Sequence, residues 1–347
     1  MTVLYGYFDH YQWGAEHPVE GRQPQLLDVI EDVLAQHNAM VQEMMGLLVT
    51  PVTVPSEYIE GGSSGYLQEV DEYGRPLVTR LGPGWSVAYP LKTLSDNKGW
   101  TDVALAKLSV GELSRQIDDA LAKDQRTLIK EIRRALFNSS NWTFTDEQHG
   151  SLTIRRLINA DSSEIPDYFE TSFDGATHTH YITSGAAALA DGDIKAACDL
   201  LSEHGLSGDL RVLFNKAQET AVKALTDFTL AYPAKVDPGS ANAQALGLSD
   251  ADAIGFCEGA EVALKPWVPS GYFFVYDAEG AAPLGMREEA VDRLRGFHLA
   301  AQETVDNHFP LQNRFFRRIC GFGARHRLNG ACVQISGNAN YTDPTGI

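Results

Sequence analysis

Between residues 24 and 45 apolar side chains recur at helical spacing: Leu26, Leu27, Ile30, Val33, Leu34, Val41, Met44 and Met45. That spacing lines one face of a helix. Pro24 suits its first turn, where the missing N–H would have had no partner, and Gly46 and Pro51 close the region. The methionines belong to the packing face. Residues 1–20 are aromatic and polar without a period, and they predict an arm that lies on something else. From residue 52 to 101 the pattern changes to Gly, Pro, Ser and aromatics. Tyr66, Gln68 and Val70 lead into a turn at Asp71–Pro76, and Leu77, Thr79 and Leu81 lead out of it. This predicts a β-hairpin. A lone hairpin with so little apolar surface is marginal in water, so it must lean on another chain or on another part of this one.

The clearest element follows. Ser109 with Glu112 forms a capping box, and Leu113, Ile117, Leu121, Leu128, Ile132 and Leu136 form one apolar stripe. The spacing predicts a helix from Val110 to Phe137, about 42 Å long at 1.5 Å per residue. On its other side Arg115, Arg126 and Arg133 fall within about 20° of one another at 100° per residue. They are either a solvated face, paired with carboxylates such as Asp118, Asp119 and Asp124, or a basic stripe facing something anionic.

Further on, "GSLTIRRLINADSSEIPDYF" reads as strand and loop. Asp191 is placed to cap a helix carrying Ile194, Ala197, Cys198 and Leu201, ended by Gly205. "LRVLFN" is a buried strand, "KAQETAVKALTDF" is helical, and residues 233–255 form a surface loop. "EVALKPWVPSGYFFVYD" gives two strand fragments broken by Pro266 and Pro269. "FFRRICGFGARHRLNGACVQI" alternates as two long strands with a turn at Leu328–Gly330. No internal repeat is present.

Composition narrows the function. A chain of 347 residues, 44% hydrophobic, can hold two domains with sizeable cores. A formal charge of −18 argues against a general nucleic-acid binder, though residues 313–337 invert that balance with five arginines and no carboxylate. The N-terminus lacks the basic and apolar regions of a signal peptide, and no apolar run is long enough to span a membrane. Cys198, Cys257, Cys320 and Cys332 have no metal or redox spacing. Cys320 and Cys332 fall where a final hairpin would bring them together, but free thiols and synthesis in a cytoplasm are the expectation.

The one motif that suggests chemistry is "DGATHTHYITSG". In an extended segment His178 and His180 point to the same side, with Asp174 upstream, as in the opening of several metal hydrolase sites. A catalytic zinc needs three protein ligands. The other histidines, His204 among them, form no second pair in sequence, and there is no His-Glu-x-x-His. The expectation is therefore hydrogen bonding rather than metal ligation, with no cofactor. There is no G-x-G-x-x-G, P-loop, G-x-S-x-G or zinc-finger spacing.

The order of elements resembles the major capsid proteins of tailed bacteriophages, the Hong Kong 97 fold. "LQEVDEYGRPLVTR" resembles the tip of their extended loop, and "SVGELSRQIDDALAKDQRTLIKEIRRALF" their spine helix. "DYFETSFDGATHTHYITSG" resembles the passage from peripheral to axial domain. "VPSGYFFVYDAEGAAPLGMRE" is similar to an axial strand and loop, and "GFGARHRLNGACVQI" to the closing strands. The resemblance covers about Pro24 to Ile335 and rests on the ordered set, not on one motif.

What it implies is an α+β capsid fold with an N-terminal arm and helix (1–51), an extended loop (52–101), a peripheral domain (102–181 and 313–347) and an axial domain (182–312). The function implied is that of a non-enzymatic shell protein, self-assembling into pentamers and hexamers around a double-stranded DNA genome. It is assembled in a bacterial cytoplasm and resident in the virion. The implied partners are other copies of the chain, portal, scaffolding and decoration proteins, and packaged DNA touched without base specificity; no membrane is involved. The loop tip Asp71, Glu72, Tyr73, Gly74, Arg75 and Pro76 is then a subunit contact, and Arg115, Arg126 and Arg133 an inward basic stripe. Some relatives cross-link a loop Lys to an Asn; this tip has no Lys, so no such cross-link is expected. An encapsulin compartment shell shares the fold and is the alternative. A metal-dependent hydrolase built on His178 and His180 is the more distant one.

Overall fold

The computed structural model of the chain describes residues 23–60, 67, 69–70, 72–74, 84–101, 107–169, 171–230, 253–301 and 311–346. The expected arm (1–20) and most of the expected hairpin, with Asp71, Arg75 and Pro76, lie outside the described residues. So do residues 233–252 of the expected surface loop.

The elements run α1 (Gln23–Met45), β1 (Val49–Val52), β2 (Ser56–Ile59), β3 (Trp85–Ala88), β4 (Lys92–Thr101), α2 (Val110–Phe137), β5 (Trp142–Asp146), β6 (Gly150–Ile154), β7 (Tyr181–Thr183) and α3 (Asp191–Ser202). They continue β8 (Leu210–Phe214), α4 (Glu219–Lys223), β9 (Thr229–Leu230), β10 (Ala253–Cys257), β11 (Ala260–Leu264), β12 (Tyr272–Asp277), β13 (Leu284–Glu288), β14 (Phe297–Ala301), β15 (Leu311–Ala324) and β16 (Ala331–Gln334). Two compact units result. The first comprises Met1–Glu43, Leu91–Glu131 and Arg287–Gly321; the second comprises Met44–Pro90, Ile132–Met286 and Phe322–Ile347.

In the first unit, β15 pairs antiparallel with β4 on one side and β14 on the other. Side chains alternate across a strand, so Phe316 and Arg318 share a face, and the pairing sets Leu299 and Phe297 beside them. Phe297 and Phe316 stack at 5.8 Å. Ile30, Val33 and Leu34 of α1 and Val110, Leu113, Ile117 and Ala120 of α2 complete this core. The apolar stripes of both helices are thus the packing faces that the periodicity predicts. Helix α2 starts at the capping box: the Glu112 N–H donates to Ser109 Oγ (3.3 Å), and the Ser109 N–H donates to Glu112 Oε2 (3.1 Å).

The second unit is built on a seven-stranded mixed sheet, β7-β16-β12-β8-β11-β10-β9. Its pairs β8–β11 and β16–β7 are parallel. Helix α3 packs Ile194, Ala197, Cys198 and Leu201 against Val212, Phe214, Val262, Phe273, Val275 and Val333. Burial of a large apolar side chain contributes about 1.5–3 kcal/mol, so this layer is the main stabilising block of the unit. Two antiparallel pairs, β2–β3 and β5–β6, also belong to this unit. The four cysteines are buried free thiols.

Several local expectations need correction. The two final strands are not a hairpin: β15 pairs with β4 and β14, whereas β16 pairs with β12 and β7. Alternation along a strand says which residues are buried but not which strand lies alongside. Asp191 does not cap α3. The Ala190 N–H is held by Asp193 (2.8 Å), while the Asp191 carboxylate accepts from the N–H groups of Thr226 and Asp227. The helical reading of residues 216–228 shrinks to a single 3₁₀ turn and the five-residue α4, and residues 253–255 open β10 instead of ending a loop.

Candidate functional site

Three places were legible as candidates: the arginine stripe, the loop tip and the paired histidines. On α2, Arg115 and Arg126 are exposed and Arg133 is half-buried. Arg115 Nε donates back to the Gly111 carbonyl (3.4 Å) and Arg126 Nε to that of Ala122 (3.1 Å). Two of the carboxylates considered as partners, Asp119 and Asp124, are engaged elsewhere. Asp124 is buried and takes Arg318 and His37. Asp119 takes Lys98 (2.7 Å) and Lys123 (2.9 Å), whose hydrogen bonds hold its carboxyl down at about 2. Arg126 comes only to 4.0 Å of Asp119, and no ion pair is made by Arg115 or Arg133 among the described residues. Arg115 and Arg126 thus present their guanidinium groups on one exposed helix face.

Of the loop tip, Glu72 and Tyr73 form a turn followed by Gly74, all exposed. Apolar side chains stand in solvent within and before it: Leu67 and Tyr73 are 102% and 89% exposed, and Tyr58 and Val70 61% and 47%. A chain with a well-made core leaves side chains of this size exposed in one stretch when another surface covers them.

Three arginines of the segment 313–337, Arg318, Arg325 and Arg327, are taken up by carboxylates of the chain. Arg318 Nε and a terminal nitrogen grip both oxygens of Asp124 at 2.6 and 2.7 Å, and His37 Nε2 lies 2.8 Å from the same carboxylate. Arg318 also donates to Asn38 Oδ1 (3.0 Å). Burial pushes the Asp124 carboxyl up, but the hydrogen bonds from His37 and Arg318 outweigh it and hold it below the usual carboxylate range. A cavity of about 390 Å³ opens beside this cluster, lined by Leu94, Ala120, Lys123, Thr127 and Phe297. In the second unit Arg325 binds Glu57 (2.8 Å), which also accepts from Tyr89. Arg327, fully buried, donates to the Arg156 carbonyl, Ser163 Oγ and Asp161 (2.6, 2.6 and 2.9 Å).

The histidines are arranged differently from the sequence expectation. Residues 178–180 are extended: the His180 N–H donates to the Ile158 carbonyl and the His180 carbonyl accepts from Cys332. That fixes His178 and His180 on one side, as their spacing requires. Asp174 is not near their rings as a ligand; its carboxylate closes the turn at Ala176 and Thr177. The third member is His204, 26 positions after His178. It sits just past the end of α3, where Gly205 takes φ +78 and a Cβ would strike the Tyr168 ring. The three Nε2 atoms lie 2.9, 3.2 and 3.3 Å apart. His180 Nδ1 is bonded to the Gly330 carbonyl (2.7 Å), and Phe173 packs on the rings of His178 and His204. Burial lowers the pKa of all three, that of His204 to about 4, so they are neutral at pH 7. Among the described residues this is the one group of three His, Cys, Asp or Glu side chains with donor atoms close enough to share an ion. Sequence reading missed His204 because helix end and strand meet only in the fold; its place three residues after the buried Leu201 was the available signal.

No helix among the described residues is long and apolar enough to cross a membrane. No protein-family model and no curated protein matches the sequence. Solved structures do match. One from Mycobacterium phage Patience has a TM-score of 0.71 and 22% identity, over 94% of this chain and 92% of that one. The capsid of the native GTA particle matches with a TM-score of 0.48 and 11% identity, over 86% of this chain and 90% of that one. The holo-SrpI encapsulin complex from Synechococcus elongatus PCC 7942 matches with a TM-score of 0.48 and 9% identity, over 87% and 90%. The first of these likenesses runs through nearly the whole of both chains, and with it the chain has the Hong Kong 97-type capsid fold, a mixed α+β architecture.

Proposed function

We propose that this chain is the major capsid protein of a tailed double-stranded DNA phage or prophage, a structural protein that assembles into pentamers and hexamers of an icosahedral shell. The observation that carries the reading is the end-to-end likeness, 94% of one chain and 92% of the other, to a phage structure. A match confined to one domain would leave the rest free to do something else; here little of the chain is left over. The exposed run Tyr58, Leu67, Val70 and Tyr73 supports it, because such side chains need a covering surface and a shell supplies one in every neighbouring copy.

On this reading the loop tip Asp71–Pro76 contacts a neighbouring subunit. On the same reading the chain divides into an arm with its helix (1–51), an extended loop (52–101), a peripheral domain (102–181 and 313–347) and an axial domain (182–312). Arg115, Arg126 and Arg133 face the interior. There they meet packaged DNA through phosphates, a contact that carries no base information. Portal, scaffolding and decoration proteins are the expected further partners, and the virion the final location.

Expression of the chain, alone and with its scaffolding protein, followed by electron microscopy tests the assembly. Closed shells are expected. Deletion of about residues 66–81 leaves a folded subunit that builds none. Monomers under every condition, or normal shells from the deletion, would overturn the assembly and loop readings respectively. Shells that protect DNA from nuclease separate a capsid from a compartment loaded with protein. If shells of the Arg115→Glu, Arg126→Glu, Arg133→Glu triple variant hold full-length DNA as well as wild type, the stripe does not face the genome.

A further inference from the structure

The three imidazoles of His178, His180 and His204 pose a problem that protons cannot solve. Each Nε2 atom carries either a hydrogen or a lone pair when its ring is neutral. Three atoms in mutual contact make three pairs, and two kinds of atom can match at most two of them. At least one pair is then lone pair against lone pair or hydrogen against hydrogen. The identity of one ring is fixed. The Gly330 carbonyl can only accept, so His180 Nδ1 carries its hydrogen and His180 Nε2 presents a lone pair to the cluster. His204 Nδ1 is buried without a partner, so no hydrogen bond on its far side makes up for the mismatch.

A cation at the centre removes the conflict, because all three atoms can then present lone pairs. The distances suit one. Zinc–nitrogen bonds of about 2.0–2.1 Å in a tetrahedral site put the nitrogens roughly 3.3–3.4 Å apart. The observed triangle has edges of 2.9, 3.2 and 3.3 Å. An ion about 2.05 Å from each would sit roughly 1 Å out of their plane, leaving a fourth position open. The donor set selects the metal class: imidazole nitrogen without carboxylate or thiolate suits zinc and its late first-row neighbours, not magnesium or calcium. The surroundings also fit. The His180 Nδ1–H···O=C bond to Gly330 is the kind of outer contact that orients a ligating imidazole. Phe173, at 4.3 Å from the His204 ring and 5.1 Å from that of His178, holds the other two.

We infer that His178, His180 and His204 form a binding site for one divalent transition-metal ion of the zinc class, in which the ion fastens the extended segment 178–180 to the end of α3. This departs from the hydrogen-bonding role that the sequence suggested, and it does so because of His204. The ion's role is structural. It holds together two pieces of chain whose own hydrogen bonds run elsewhere: residues 178–180 to Ile158 and Cys332, and His204 back into its helix. The fourth position takes water or a donor from outside the chain.

The test uses the untagged full-length protein. It is incubated with zinc sulfate, desalted and analysed for metal, then loaded in parallel with cobalt(II). The expected result is about one zinc per chain, a visible cobalt spectrum of low-coordinate type, and a melting temperature lowered by chelator and restored by zinc. His178→Ala and His204→Ala lose the bound zinc and the response of melting to chelator. Should a variant fail to fold, the wild-type stoichiometry and chelator response decide alone. A wild-type chain that retains no zinc, or folded variants that retain as much as wild type, would overturn the site.

Discussion

In the first unit Asp124 is buried against Arg318 and His37; in the second, the buried His180 meets the half-buried His178 and His204. Both clusters tie a helix to an extended segment; the first is buried, and the second is buried only at His180. Their chemistry is opposite. The first holds a formal anion and a formal cation in bidentate contact, so its charge is balanced within the chain. The second holds only imidazoles whose Nε2 atoms converge, and no carboxylate hydrogen-bonds to any of them among the described residues. A buried polar cluster is stable when each donor has an acceptor. The first cluster meets that condition by itself, and the second meets it with a cation.

The comparison can be broken most severely at Arg318. Arg318→Met leaves the Asp124 charge buried with only His37 and Asn38 nearby, and should cost about 3–5 kcal/mol in urea unfolding of the unassembled subunit. The double variant with Asp124→Leu should cost less than the sum of the two single changes, because no orphaned charge remains. Additive costs would show that the pair is not coupled. His180→Ala in chelator-treated protein should cost less, about 1–3 kcal/mol for the unpartnered Gly330 carbonyl. Added zinc should then widen the gap, since only wild type gains from it.

A pH series also separates the two clusters. The histidines have folded pKa values below their unfolded value of about 6.5, so the unfolded chain binds protons first and stability is lost as pH falls from there towards about 4, the value at His204. Asp124 has its pKa depressed, so its contribution is intact above the unfolded value of about 3.9 and disappears only below it. His298 and His326 are lowered too, so the informative quantity is a difference between proteins. In chelator, His204→Ala should flatten the stability curve between about pH 6.5 and 4 relative to wild type. An unchanged slope would mean that the three rings do not share a buried site. The smallest effect is expected five residues before Asp124 on the same helix. Asp119→Ala removes exposed pairs with Lys98 and Lys123 and should cost about 0–1 kcal/mol. It should leave the zinc response untouched. A loss as large as that of Arg318→Met would erase the distinction between exposed and buried pairs.

The sequence by itself determined what depends on neighbours in the chain. Helices α1 and α2 follow from apolar spacing, and Ser109 with Glu112 sets the start of α2. The strands around Pro266 and Pro269, the shared side of His178 and His180, and the order of elements that resembles a capsid fold were also legible. These rest on periods of two or 3.6 residues and on contacts three or four positions apart. The tertiary structure alone decided which strands lie side by side, so β15 and β16 separate although the pattern between them reads as a turn. It decided that Arg318, Arg325 and Arg327 serve carboxylates or carbonyls of the chain, although their segment reads only as a local surplus of positive charge. It also decided that His204 joins His178 and His180. The physical reason is common to all three: alternation and capping report whether a side chain points inward, but what it meets there is chosen by packing between distant segments, and no local period encodes that choice.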